Sequence, residues 1–149
     1  MKKFKYRLEP LLKAKEHIEK EKQKQHALAL NQVFSQQREL SHLDQRQQGT
    51  FELQRQNMCG SLSMADMLVY ARYILKLKRE LLAGRELLRA LERTERGKLD
   101  ALLEASKERK IYEKLKEHRQ EQFYRLVESL ATKETDEAAL NSFRLKARR

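Results

Sequence analysis

Cys59-Gly60-Ser61-Leu62-Ser63 is where this chain breaks, and everything on either side reads as long helix. Gly60 has no side chain to oppose a positive φ, so it can end a helix there. Ser63 stands three residues before Asp66. That spacing lets the hydroxyl accept from backbone N–H groups of a new first turn, whose positive dipole end also favours the Asp66 carboxylate. A short loop between two long helices makes them antiparallel neighbours. The reading is therefore all-α: a two-helix antiparallel coiled-coil hairpin, with a helix over about 8–58, a turn at 59–63 and a longer helix over about 64–146, forming a single coiled-coil domain over residues 1–149.

On the C-terminal side the pattern is clear. Met67, Ile74, Leu81, Leu88, Leu102 and Phe123 recur at multiples of seven, and Tyr70, Leu77, Gly84, Leu91 and Ala105 recur in the matching offset. A sustained seven-residue repeat means a left-handed supercoil against a partner helix. On the N-terminal side Leu8, Leu12, Ala29, Val33, Leu40 and Leu43 share one seam, but its middle reads Lys15, Glu19, Lys22 and His26. A second stripe through Leu11, Ala14 and Ile18 makes the register of that half look weak or shifting. Pro10 suits a first helical turn, where its missing N–H has no intrahelical partner to lose.

The arms are unequal. At 1.5 Å per residue the first spans roughly 70 Å and the second roughly 120 Å. A turn near Gly60 sets residue i opposite about residue 122 − i. Residues from about Glu113 onward then lack a partner within the chain, although Phe123, Leu126 and Leu130 continue the stripe. The same facing puts the polar middle of the first helix beside Glu95. That stretch reads as a leaky, solvated piece of seam, or as a pair between Glu95 and Lys22 or His26.

Composition fits this reading. The sequence has 149 residues, one Pro, four Gly, no Trp and 37% charged residues. Strand-like runs bounded by Gly and Pro are missing, and helix formers dominate. The single Cys59 allows no internal disulfide, which fits a reducing compartment. No stretch approaches the ~20 apolar residues of a membrane span, and the start is too polar for a signal peptide. The expected location is cytoplasmic.

Catalysis is not expected. A two-helix hairpin encloses no pocket on which groups converge. His17 and His26 fall on opposite faces of a helix, one cysteine makes no zinc set, and no phosphate-binding glycine loop is present. The reading is no enzyme, no metal and no cofactor.

Binding is the remaining function. The formal net charge is +11. Lys107, Arg109, Lys110, Lys114, Lys116 and Arg119 form a basic block with glutamates interleaved, and Lys2, Lys3, Lys5, Arg7, Arg144, Lys146, Arg148 and Arg149 gather at the same end of the hairpin. Such charge raises nucleic acid, an anionic membrane or an acidic protein surface as partners. A parallel zipper that reads DNA places its basic helix before the zipper; here the block lies within a hairpin and carries acids, so nucleic acid is not expected. Near the turn, Leu68, Tyr73 and Leu75 exceed what one seam needs. Either Phe51 and Leu53 cover them, or they mark a protein contact.

Both ends of the chain resemble a known family. Phe4-Lys5-Tyr6-Arg7-Leu8-Glu9-Pro10-Leu11-Leu12 is similar to the opening of the flagellar export protein FliJ family. Glu113-Lys114-Leu115-Lys116-Glu117 with Arg119 resembles that family's later basic stretch, and Glu134, Asp136, Glu137 and Ala138 resemble its closing acidic segment. The resemblance implies a component of the flagellar type III export apparatus, like the central stalk of rotary ATPases. It implies a contact of the terminal end with the hexameric export ATPase (FliI), through Arg7, Leu8, Leu11, Arg109, Lys114, Lys116, Arg119 and Phe123. It also implies a contact of the turn end with the export gate protein (FlhA), through Leu43, Leu68, Tyr73 and Leu77. Help to export chaperones and a peripheral place at the cytoplasmic face of the membrane follow from it too. The stalk of a virulence secretion system, and a basic coiled coil that binds nucleic acid or lipid, are the alternatives.

Overall fold

A computed structural model of the protein describes residues 4–58, 60 and 63–147, except for the side chains of 145–147. It contains α1 (Glu9–Met58) and α2 (Met64–Ala147), and no strand among the described residues. The predicted two-helix antiparallel arrangement, with the second helix the longer, is what the chain adopts. Cys59, Ser61 and Leu62 of the predicted turn lie outside the described residues, as do Lys2, Lys3, Arg148 and Arg149.

The ends of the helices follow from local chemistry. Ser63 caps α2: its hydroxyl accepts from the Asp66 N–H at 3.2 Å and donates to the Asp66 carboxylate at 2.8 Å. That carboxylate also takes the Ser63 N–H at 3.3 Å. The reciprocal bonds satisfy donors that the first turn would otherwise leave open. At the end of α1 the Gly60 N–H bonds the Asn57 carbonyl at 3.1 Å. The left-handed conformation expected of Gly60 is not used, for no described residue has a positive φ. A tightened last turn satisfies the carbonyl instead.

The chain divides into two compact units, one over Lys20–Leu103 and one combining Met1–Glu19 with Glu104–Arg149. In the first, α1 and α2 pair antiparallel through Asn57 with Tyr70, Gln36 with Gly84, His26 with Glu95, and Gln25 with Lys98. Its buried apolar residues are Ala29 and Val33 on α1 and, further along the seam towards the turn, Ile74, Leu77 and Leu81 on α2, with Leu77 only 2% exposed. The polar middle of the seam is not left to water: His26 Nε2 lies 2.6 Å from a Glu95 oxygen, each partly buried. Gly84 marks a close approach of the helices. A Cβ there would stand 2.7 Å from Leu40 Cδ2, and the buried Gln36 amide donates to the Gly84 carbonyl at 3.4 Å.

In the second unit apolar burial is sparse among the described residues, where Leu12 and Ala105 are the buried hydrophobic ones. Ion pairs bridge the helices instead. Lys15 meets Glu108 at 2.6 Å, Glu19 meets Arg109 at 2.5 Å and Glu9 meets Lys116 at 2.7 Å. The register that looked unsettled in the sequence is steady here: Leu12, Lys15 and Glu19 face α2, whereas Leu11, Ala14 and Ile18 are exposed.

Candidate docking surfaces

The terminal unit builds its surface from the segment before α1. Phe4 to Leu8 precede the helix, and the Tyr6 hydroxyl donates to the Tyr112 carbonyl at 3.2 Å. The Phe4 ring packs on Phe123, with centroids 5.6 Å apart. This segment shortens the expected overhang: α2 has a partner in the chain as far as Phe123, not only to about Glu113. An open groove of about 520 Å³ results, lined by Phe4, Tyr6, Leu8, Leu115, Phe123 and Leu126 with Arg7 and Arg119 at its edge. Leu126 at its end is exposed, and beyond it Leu130, Leu140 and Phe143 also stand exposed on α2.

Four of the residues expected at this end, Arg7, Leu8, Arg119 and Phe123, thus meet in one groove. Leu11 is exposed outside it, and so is Lys114. Arg109 and Lys116 are already engaged. Lys116 holds Glu9, and Arg109 sits between Glu19 and Glu113, the latter at 2.6 Å. Partial burial works against the Arg109 charge, but the two carboxylates together outweigh it and hold its pKa above the ordinary value. The buried Nε makes its contact with Glu19 as an ion pair without hydrogen-bond geometry. Glu19 in turn accepts a short hydrogen bond from Ser106. That bond, with Arg109 beside it, keeps the carboxyl below its usual pKa despite desolvation. These groups hold the unit together and are not a free basic surface.

The turn end is more divided than expected. Phe51 and Leu53 do not cover the surplus apolar residues, being themselves about half exposed. Leu68 and Tyr73 are both exposed, yet five residues on a helix turn through about 140°, so they lie on different flanks. Leu77 is buried in the seam and Leu43 is half-buried. The four residues form no single patch.

A further line was overlooked in the sequence. Leu68, Leu75 and Leu82 recur at seven residues but sit one position after the core set, and all three are more than half exposed. Their spacing is legible in the sequence once the core positions have been taken out.

Among the described residues no helix is long and apolar enough to cross a membrane, and no group of His, Cys, Asp and Glu could hold a metal ion. No curated protein and no solved structure matches the chain. The model of the flagellar FliJ protein family matches residues 4–148. With nearly the whole sequence so matched, the chain belongs to the flagellar FliJ protein family, a non-catalytic component of the flagellar export apparatus.

Proposed function

We propose that the chain is a stalk-like coupling protein of flagellar export. Its terminal unit engages the hexameric export ATPase (FliI), its turn end engages the export gate protein (FlhA), and it assists export chaperones. It acts as one domain at the cytoplasmic face of the membrane, held there by these partners. Such a protein works by position and charge and makes or breaks no bond. Family membership supports the setting. The observation that carries the ring contact is the open groove of Phe4, Leu8 and Phe123, continued by the bare stripe of Leu126, Leu130 and Leu140. Exposed apolar surface of this kind marks an interaction site. Arg119 of the groove and Lys114 outside it are exposed and without an ion pair among the described residues.

The test is hydrolysis and oligomerisation of purified ring ATPase with and without this chain. Both rise on addition of the full chain and do not on addition of a chain lacking residues 113–149. Lys114→Glu weakens capture of the ATPase at least tenfold without disturbing the fold, because Lys114 makes no ion pair among the described residues. Unchanged hydrolysis and assembly with the full chain overturns the reading.

A further inference from the structure

The outward face of α2 in the unit Lys20–Leu103 carries a second line of side chains that the hairpin does not use. Leu68, Leu75 and Leu82 are 56%, 55% and 62% exposed. Arg72 and Arg79 fall between them, and Arg89 and Arg93 continue the line. At about 100° per residue these positions share one face, turned well away from Leu77 and Leu81 in the seam. Four of these residues are cationic. Lys15, Arg109 and Lys116 elsewhere are bound to carboxylates across the helices. Among the described residues Arg72, Arg79, Arg89 and Arg93 make no ion pair, and Glu86 is the one acid in their line. A shallow groove lies between Arg72, Leu75, Lys76, Arg79 and Glu80, the last at 3.8 Å from Lys76, which leaves the two arginines as its unpaired charges among the described residues.

We infer that this face is a docking strip for an acidic amphipathic helix of a partner protein. Leucines seven residues apart are knobs for another helix laid alongside. The arginines between them offer planar forks that match carboxylates. A partner with apolar residues at the same spacing and Glu or Asp next to them satisfies both sets at once. Nucleic acid would use the cations and leave the leucines bare. A lipid surface would need a continuous apolar face to sink into, and here an arginine interrupts every interval between leucines. The strip is separate from the terminal groove and stands or falls independently of the ring contact.

The test uses the full chain and a labelled synthetic peptide of about 25 residues, with Leu every seventh position and Glu four residues after each. Fluorescence anisotropy reads binding at ~0.1 M salt. The peptide is expected to bind, and a scrambled peptide of the same composition and polyglutamate to bind at least tenfold more weakly. Leu75→Ala with Leu82→Ala, and separately Arg79→Gln with Arg89→Gln, should each weaken the peptide at least fivefold. Circular dichroism of both variants should stay unchanged, since these side chains are exposed and lie off the seam. Equal binding of polyglutamate would reduce the strip to bare charge and overturn the inference. So would indifference to the leucine pair, or stronger leucine-dependent binding to phosphatidylglycerol vesicles or to a second copy of the chain than to the peptide.

Discussion

Gly84 and Gly97 sit in the same helix and answer to different physics. A Cβ at Gly97 meets nothing within 4 Å. Gly97→Ala therefore gains the helix propensity that glycine forgoes, about 1 kcal/mol, read as a higher midpoint in chemical denaturation. At Gly84 a Cβ would press on Leu40 Cδ2 at 2.7 Å and on the Gln36 amide at 3.2 Å. Gly84→Ala is expected to gain less than Gly97→Ala, and Gly84→Leu to lose stability outright. Glu19 gives a pH-dependent case. Ser106 and Arg109 hold its folded pKa below the ordinary 4.5. Its contribution is then fully present above that value and is lost as pH falls through the folded one. Glu19→Gln should be less stable than the wild type at pH 7, with the gap closing as urea midpoints are followed down through the acid range.

Within α2, Leu75 and Leu77 are two residues apart and should behave as opposites. Leu77 is the most buried large side chain, so Leu77→Ala costs about 2–5 kcal/mol, whereas Leu75→Ala changes thermal stability by about 0.5 kcal/mol or less. That contrast shows how much of the structure could be read beforehand. The repeat of seven placed Ile74, Leu77 and Leu81 in the core because burial of an apolar stripe leaves a helix few alternatives. The same spacing put Lys15, Glu19 and His26 in the seam, but pattern alone did not say whether water or Glu95 would answer them. Pair geometry depends on side-chain torsions that a one-dimensional pattern does not carry. The reach of Phe4 and Tyr6 to Phe123 and Tyr112 was illegible for a related reason. A segment that is not helical has no period, so a rule of facing residues built on helices stops where α1 begins. The site suffered most. Charge in the sequence marked Arg109 and Lys116 as surface, and only their partners Glu19, Glu113 and Glu9 show them to be internal struts.

At the scale of the whole molecule, the two units are held by different forces. One buries Ala29, Val33, Ile74, Leu77 and Leu81, and the other relies on three ion pairs across its helices with Leu12 and Ala105 buried. Salt screens exposed charges and leaves apolar burial intact or strengthened. Hydrogen exchange followed by mass spectrometry should therefore show faster opening in residues 9–19 and 104–123 than in 29–40 and 74–84. Raising sodium chloride from ~0.05 to ~0.5 M should speed the first group and leave the second nearly unchanged.

The notch at Gly84 bears on how such a protein can carry a load. Heptads repeat, so two helices joined only by repeating leucines have neighbouring alignments of similar energy and can slip one tooth at a time. Leu40 fits where it does because the facing position has no side chain. Advancing or retreating by one repeat would bring Leu77 or Leu91 beneath it, where that space is gone. A pull along α1 in this unit is then passed on to α2 instead of being dissipated in sliding.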